Sequence, residues 1–389
     1  MARFLFVVPP FVGHINPTIS VGDTLAARGH AVAWVGTADP LARLLPREAQ
    51  RFLLDRADED QLFPGLRSRF QSVRGFQNLK LMWDEVFIPM ARLMLPGVLA
   101  AAERYRPDVL VSDQQTIAGA LAARRLGLRW ATSATTPADR VRALEAFPKV
   151  LAWTEERLAD LQREVGLDPV SVPEDSPSLV LSFTTEALAG VDARTDRQYR
   201  YVGPALGRRP DETAFPWDKL RSVPKVLVSL GTLNAERGGP FFERIKQALA
   251  DLPIQVILVA PESFGPFPEN FIVQPWVPQL KLLPAVDLLL SHAGSNTVCE
   301  ALALALPVVV VPITDGQPVV AQQVADSGCG LRLSFKRSNS GAIRTAVERA
   351  LTEPGFRAAA ARIRESFEVA GGAPRAADLL ESLAADQVC

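Results

Sequence analysis

The feature that most constrains this chain is a short apolar run that leads directly into a small, polar turn and then into a helical segment. The run ends at Leu290, and the turn, Ser291–Asn296, reads SHAGSN. An apolar run followed by glycine and helix-capping residue types such as Ser295 and Asn296 indicates a buried parallel strand that feeds a helix. The N-terminus of such a helix presents N–H groups and the positive end of its dipole. The sequence therefore predicts an anion site after this strand.

Residues near this turn suit the other parts of a nucleotide. Trp276 offers a flat face on which a base can stack, and Glu300, about one helical turn inside the helix, can accept hydrogen bonds from ribose hydroxyls. His292 adds a hydrogen-bond donor or a positive charge, and Gly294 allows the backbone to approach a ligand closely. Together these residues predict a pocket for a nucleotide diphosphate.

The ordered pattern W-x-P-Q, then H-x-G-x-N-[ST]-x-x-E, then a proline and a terminal glutamine resembles a known donor-binding signature. It belongs to the nucleotide-sugar-dependent glycosyltransferases of the GT-B fold, family 1. This group holds plant UDP-glycosyltransferases and bacterial macrolide, flavonoid and zeaxanthin glycosyltransferases. The S-x-G-[ST] element at Ser229 also resembles this family. The residues assigned to the donor are Gly13, Ser229, Gly231, Thr232, Trp276, Val277, Gln279, His292, Gly294, Ser295, Asn296, Thr297, Glu300, Asp315, Gly316 and Gln317.

Strand–helix units recur in two series along the chain, one from Phe4 and one from Lys225. A strand, a glycine-containing turn, a helix and a second strand form a βαβ unit, and ligands bind at the carboxyl ends of its strands. The predicted strands are Phe4–Val8, Ala31–Val35, Pro107–Asp113, Trp130–Ser133, Leu179–Phe183, one from Lys225, Gln255–Val259, Phe271–Val273, Leu288–Ser291 and Val308–Val311. The Gly-x-Gly-x-x-Gly fingerprint is missing from the first unit, which disfavours a nicotinamide or flavin cofactor.

We therefore predict an α/β protein of two Rossmann-like, doubly wound domains, and the resemblance implies that they face a cleft in the GT-B arrangement. The predicted parts are an acceptor-binding domain at residues 1–205, a linker at 206–222 and a donor-binding domain at 223–389. The resemblance also implies that the last helix, at about 370–389, packs back on the first domain.

Two of the three histidines follow predicted strands, one in each half of the chain. An imidazole can remove the proton of an acceptor hydroxyl near neutral pH, and His14 follows Gly13 after the first strand. Asp113, at the end of a later strand, is the candidate to hold the ring in one tautomer. The residues alone leave a helix-capping role for His14 open. The resemblance implies that His14 and Asp113 form the family's catalytic dyad, which transfers a sugar with inversion and without a metal.

The stretch Phe70–Leu99 is rich in large apolar residues. One interpretation is helical core packing, and the other is a pliable apolar pocket, because methionine and aromatic side chains suit irregular hydrophobic ligands. In the resembled family this region commonly lines the acceptor pocket. The residues assigned to the acceptor are Phe11, Phe76, Met82, Trp83, Phe87, Met90 and Thr135.

Composition excludes several classes of function. The formal net charge of −1 leaves no basic surplus for nucleic acid, and the three cysteines lack the paired spacing of a disulfide framework or zinc site. We expect no stretch to supply the roughly 18 apolar residues that span a bilayer. We expect a cytoplasmic monomer or homodimer with no metal, no cofactor and no integral membrane segment. Its expected partners are a nucleotide sugar as co-substrate and a lipophilic small-molecule acceptor.

Two details of the donor motif bear on specificity. Relatives that use TDP-sugars commonly carry a His-His-Gly-Gly element where this chain reads Ser291–Asn296, so a UDP-sugar is favoured over a TDP-sugar. Many relatives also place an acidic residue directly before the terminal glutamine. Here Gly316 stands before Gln317 and the acid is Asp315, one residue earlier. We therefore expect looser sugar selectivity, or a preference for a modified or deoxy hexose.

Two alternatives share the fold. A nucleotide-sugar epimerase would carry additional charged residues for a second phosphate pair, and no obvious set is present. A non-catalytic auxiliary partner would have lost His14 or the donor motif, and both are present.

Overall fold

The computed structural model describes residues 1–389 except 55–75, 137–143, 146, 208–212, 232–237, 262–263, 314–315 and 386–389. The chain forms two compact units, each with its own sheet. The first unit comprises Met1–Phe183, Arg194–Pro210 and Gly371–Cys389, and the second comprises Thr184–Ala193 and Asp211–Ala370. This division differs from the expected domain bounds at residues 184–193, which group with the second unit.

Parallel strands alternate with helices through both units. The strands are β1 (Arg3–Val7), β2 (Ala31–Gly36), β3 (Gln50–Leu53), β4 (Val109–Asp113), β5 (Trp130–Ala134), β6 (Val180–Ser182), β7 (Tyr199–Tyr201), β8 (Lys225–Ser229), β9 (Gln255–Val259), β10 (Phe271–Gln274), β11 (Leu288–Ser291), β12 (Val308–Val310) and β13 (Gly330–Arg332). The α-helices are α1 (Val12–Ala27), α2 (Ala38–Leu44), α3 (Phe76–Leu81), α4 (Ile88–Tyr105), α5 (Ile117–Leu126), α6 (Pro148–Glu164), α7 (Glu186–Ala189), α8 (Gly239–Leu249), α9 (Gln279–Leu282), α10 (Ser295–Leu302), α11 (Gln317–Asp326), α12 (Ser340–Thr352), α13 (Pro354–Ala370) and α14 (Gly372–Ala384).

The first unit is built on a seven-stranded parallel sheet in the order β3-β2-β1-β4-β5-β6-β7. Side chains of a strand alternate between the two faces of the sheet, so β1 contributes side chains to two different hydrophobic cores. Leu5 and Val7 pack with α4 and α5, while Phe4 and Phe6 pack with α1 and the C-terminal helix α14. Both faces are therefore covered, which explains why this strand is apolar throughout.

The second unit carries a six-stranded parallel sheet in the order β10-β9-β8-β11-β12-β13. Side chains of its central strand β11 also alternate between two different cores. Leu288 and Leu290 pack against α8 and α12, and Leu289 packs against α10 and α13. The prediction of two parallel-sheet α/β domains is confirmed.

One helical stretch departs from the sequence expectations. A π-helical turn, Met82–Phe87, joins α3 to α4, and π turns of this kind are frequent at functional sites. Leu79–Tyr105 is long and apolar enough to cross a membrane by length and composition alone, so the expectation that no stretch reaches that length is not confirmed. Half of its most apolar window is buried inside the protein, and Met90, Met94 and Val98 have no exposed surface. Core packing therefore accounts for much of its apolar character.

Candidate functional site

The first group of polar residues lies at the carboxyl end of the first unit's sheet. Strands β1 and β4 are parallel neighbours, with Val7 paired to Ser112, so α1 and the end of β4 leave the sheet at the same edge. Strand β2 lies on the other side of β1, which makes the β1–β4 gap the point where the strand order reverses. Ligands bind at such points in open α/β sheets.

His14 lies in the first turn of α1, and Asp113 is the last residue of β4. Nδ1 of His14 is 3.0 Å from Oδ1 of Asp113 and 2.9 Å from Oδ2. Asp113 is 1% exposed and His14 is 9% exposed, so water competes little for this contact. The backbone N–H of Gln115 also donates to Asp113 Oδ1, at 2.9 Å. A carboxylate held against Nδ1 leaves Nε2 as the nitrogen that can accept a proton.

Thr135 was assigned to the acceptor, but the structure places its hydroxyl on the histidine–aspartate pair. Thr135 Oγ1 lies 2.7 Å from His14 Nδ1 and donates to Asp113 Oδ2 at 3.1 Å. Sequence reasoning missed this contact because the residues lie far apart in the chain, with 121 positions between His14 and Thr135.

The residues assigned to the acceptor fall into two groups. Phe11, Met82 and Phe87 pack around Leu81 and Val86 in a small cluster, here called the apolar patch. The ring of Phe11 meets the ring of His14 edge to face, with centroids 5.7 Å apart, so the patch adjoins the histidine. Leu81 and Val86 were not singled out beforehand, because a π turn has no distinct sequence signature.

The other group supports the fold instead. Met90 and Trp83 are buried in the main core of the first unit, which favours core packing over the role in the acceptor pocket that the sequence analysis assigned to them. The ring of Trp83 contacts that of Phe87 edge to face, with centroids 5.2 Å apart, so Trp83 packs behind the apolar patch. The side chain of Phe76 lies outside the described residues.

In the second unit, His292 is held between two glycines. A Cβ atom built on Gly231 would lie 2.6 Å from His292 Cε1, and one built on Gly294 would lie 2.7 Å from Nε2. Ser229 and Ser291 end two paired strands, β8 and β11, and their hydroxyls accept from the N–H groups of Gly231 and Ala293. These turns place both glycines against the imidazole. A larger residue at either position would force the ring to move.

Burial lowers the pKa of His292 from 6.5 to about 4, an effect that a backbone hydrogen bond to Ser229 only partly offsets. Its Nδ1 atom is buried and, within the part of the chain that the structure describes, makes no hydrogen bond of good length and angle, so the contact with Ser229 is weak. The ring is therefore neutral at pH 7. Of the two roles that the sequence allows for His292, a hydrogen-bond donor or a positive charge, this low pKa favours the neutral donor.

Helix α10 begins at Ser295 and has Gly294 as its N-cap, without a side-chain capping bond. Ser295, Asn296 and Thr297 thus occupy the first turn, and the expectation that the first two cap the helix is corrected. First-turn N–H groups have no acceptor within their own helix, and an unbranched glycine cap leaves room for an anion to approach them.

A polar pair lies one turn further along α10. Glu300 is 2% exposed, and its Oε2 accepts from Gln279 Nε2 at 2.5 Å, while Thr297 Oγ1 lies 3.5 Å from the same amide. Trp276 is 41% exposed and offers its indole to a ligand, whereas the side chain of Val277 is buried in the core. Only the backbone of Val277 can therefore contact a donor.

The end of the motif forms the start of α11. Gly316 is the N-cap, and Gln317 Oε1 accepts from the backbone N–H of Ile313 at 2.8 Å. The first residue of α11 is thus bonded to Ile313, a contact that the linear motif did not reveal. Thr232 and Asp315 lie outside the described residues.

Comparison with known proteins identifies the family. Residues 243–383 match the family model described as erythromycin biosynthesis protein CIII-like, C-terminal domain. Demethyllactenocin mycarosyltransferase of Streptomyces fradiae is 30% identical over 414 residues, covering 98% of this chain and 87% of that protein. The chain belongs to family 1 of the GT-B glycosyltransferases.

Other family 1 members resemble the chain over its whole length. NDP-glycosyltransferase YjiC of Bacillus licheniformis is 28% identical, covering 97% of this chain and 96% of the relative. The crystal structure of CalG4, the calicheamicin glycosyltransferase, has a TM-score of 0.80 at 25% identity and covers 98% of both chains. The recognised family, the GT-B fold class and the assignment as a glycosyltransferase are confirmed.

Proposed function

We propose that this glycosyltransferase moves a sugar from a nucleoside diphosphate to a hydroxyl of a lipophilic natural product, with inversion at the anomeric carbon. The observation that carries the proposal is the buried His14–Asp113 pair at the switch point of the first sheet, with Nδ1 against the carboxylate. The names of the relatives, a mycarosyltransferase and a calicheamicin glycosyltransferase, support a natural-product acceptor.

In the proposed reaction, His14 Nε2 takes the proton of the acceptor hydroxyl as its oxygen forms a bond to the anomeric carbon. The bond from that carbon to the diphosphate oxygen breaks, and the diphosphate leaves with the electron pair. Asp113 balances the charge that the imidazole gains. The apolar patch beside His14 favours an acceptor with a hydrophobic body, because it would bury apolar surface next to the base.

The second unit supplies the donor contacts in this proposal. The first turn of α10 and the neutral N–H of His292 receive the diphosphate, whose charge grows as the bond breaks. Trp276 stacks on the base and the Gln279–Glu300 pair receives the ribose hydroxyls. Positioned dipoles take the part that a metal ion plays in other transferases.

The test is turnover by the purified full chain with UDP- and TDP-glucose and a panel of macrolide, polyketide, flavonoid and carotenoid aglycones, followed by mass spectrometry. We expect a glycosylated product whose anomeric configuration is opposite to that of the donor, and unchanged activity in a chelator. UDP should inhibit more strongly than TDP. Retention of configuration, or reversible loss of activity in a chelator, would contradict the proposed chemistry.

The same assay separates the alternatives. An epimerase would interconvert nucleotide sugars without an acceptor, and a non-catalytic partner would bind UDP without any turnover. Stronger inhibition by TDP would reverse the choice of base while leaving the reaction class intact.

A further inference from the structure

Thr135 follows directly after β5 and lies against the His14–Asp113 pair. We propose that Thr135 is a positioning residue of this pair, which fixes the rotation of the carboxylate and the orientation of the imidazole, rather than a contact for the acceptor. The inference rests on the proposed role of His14 as the base.

The hydrogen atoms around the pair fit one arrangement. The Thr135 hydroxyl has a single proton, which it donates to Asp113 Oδ2 at 3.1 Å. Its oxygen can then only accept from His14 Nδ1, at 2.7 Å, so Nδ1 must carry the proton. If the hydroxyl instead donated to Nδ1, the lone pair of that nitrogen would face the carboxylate oxygens at 2.9 and 3.0 Å. That repulsion excludes the second arrangement.

The three donors of Asp113 come from three different parts of the fold. The N–H of Gln115 holds Oδ1, the hydroxyl of Thr135 holds Oδ2, and His14 Nδ1 lies within reach of both oxygens. Donors on both oxygens prevent the carboxylate from rotating about its own axis. Among the acceptors of Nδ1–H, the Thr135 oxygen is the nearest, so removing it leaves the ring held by Asp113 alone and lets it tilt towards the carboxylate.

The location of Thr135 also argues against direct contact with an acceptor. It is 4% exposed, and its oxygen is occupied by two buried partners. The next residue, Thr136, makes a comparable cross-strand contact, because its hydroxyl accepts from Gln114 Nε2. Thr135 thus bonds the last residue of β4 and Thr136 bonds the residue after it, and of these two contacts only that of Thr135 includes the histidine.

The closing experiment compares Thr135→Val, which removes the hydroxyl but keeps the shape, with Thr135→Ser, which keeps the hydroxyl. Thr136→Val is the matched control in the same loop. We expect Thr135→Val to lower kcat about 10–100-fold with the KM of both substrates little changed, because one charge-assisted hydrogen bond is lost. Thr135→Ser should restore most of the rate. A rise in acceptor KM at constant kcat would assign Thr135 to the acceptor and overturn the inference.

A second readout does not depend on turnover. The chain has three histidines, so nitrogen-15 labelling of histidine gives a spectrum that His14→Ala assigns. We expect Thr135→Val to shift the His14 Nδ1–H proton signal and speed its exchange with water, and Thr136→Val to change neither. Unchanged His14 signals in Thr135→Val would overturn the inference even if every acceptor tested proved inactive. Should Thr135→Val fail to fold, Thr135→Ala is measured in the same way.

Discussion

The imidazole of His292 lies so close to Gly294 that a single methyl group on that glycine would come within 2.7 Å of Nε2. The backbone of Gly294 is extended, with φ of −66°, a conformation that alanine adopts without strain. Any effect of a substitution there is therefore steric. A substitution of Gly231 would not separate the two effects, because its φ of +74° would add backbone strain to the same steric clash.

We predict that Gly294→Ala weakens UDP binding about 10-fold or more, since the ring must move away from the first turn of α10 and one hydrogen bond to the diphosphate is lost. Isothermal titration calorimetry with UDP measures this. The control is Gly355→Ala in α13, where an added Cβ meets nothing within 4 Å. Equal affinity of the two variants would show that the ring does not need its present position.

The low pKa of His292 predicts a specific loss of stability in acid. The unfolded group titrates near 6.5 and the folded group near 4, so between these pH values the unfolded state binds a proton that the native state does not. Stability therefore falls as pH decreases from about 6.5 to about 4, and above that window the group contributes no pH dependence. The loss is at most about 3 to 4 kcal/mol, because each pKa unit corresponds to about 1.4 kcal/mol.

Urea unfolding at pH 7 and pH 4.5 measures this effect in wild type and His292→Asn. The variant should lose less stability between the two pH values, because asparagine takes up no proton. An identical loss in both proteins would mean that His292 is solvated well enough to keep its ordinary pKa.

Replacing His14 by alanine should lower turnover about 10²–10⁴-fold, the usual contribution of a general base. UDP affinity should stay nearly unchanged, because the base acts on the acceptor. Asp113→Asn should lose much of the same rate, since an amide does not fix the ring with its proton on Nδ1. The control is His30→Gln, which alters a histidine that bonds Glu381 in the same unit. Near-wild-type turnover of His14→Ala would refute the assignment.

The strands that the sequence missed share a physical property. β3 and β7 are the two edges of the first sheet, and β13 is an edge of the second. Edge strands pair on one side only and are covered less completely, so they are short and lack the apolar run that marks a central strand. The central strands were predicted to within one or two residues, because full burial imposes that run on them.

The sequence could predict only those site residues that belong to a local sequence pattern. His14 and Asp113 follow apolar strands, and the sequence placed both at strand ends. Two contacts could not be predicted in this way, that of Thr135 with His14 and that of Gln317 with Ile313. They depend on the three-dimensional fold, and no sequence spacing indicates them. Met90 shows the opposite difficulty, in which a local pattern is present but fits two different roles. An apolar residue on an apolar helix suits a pocket and a core equally, and only packing decides between them.

Helix α14 offers a test of how the C-terminal residues stabilise the first unit. Leu380 has no exposed surface and packs in the core formed by β1 and α1. We predict that Leu380→Ala lowers the free energy of unfolding of this unit by about 2–5 kcal/mol, the usual cost of such a cavity. Ser382→Ala, which removes an exposed hydroxyl two residues away, should change it by less than about 0.5 kcal/mol. Similar denaturation midpoints for the two variants would show that the helix contributes little.

We predict that the residue before Gln317 contributes to the sugar specificity of the enzyme. The family resemblance implies an acidic residue there that binds the sugar hydroxyls, whereas this chain has Gly316, which caps α11 with φ of −70° and ψ of −7°. An aspartate fits this backbone without strain and favours a helix N-cap, so Gly316→Asp should fold normally. Gln317 already gives its side-chain oxygen to Ile313, which leaves fewer polar groups for the sugar.

We therefore predict that the wild type discriminates weakly among hexoses, or prefers a deoxy hexose, because a site with fewer hydrogen-bond partners penalises a missing hydroxyl less. Gly316→Asp should raise the preference for glucose over 6-deoxyglucose by about 10-fold or more, as one charged hydrogen bond is gained. The measurement is kcat/KM for UDP- and TDP-linked glucose, galactose, glucuronic acid, N-acetylglucosamine and 6-deoxyhexoses in both proteins. A wild type that strongly prefers glucose, with a ratio that the substitution does not change, would show that the sugar is held by other residues.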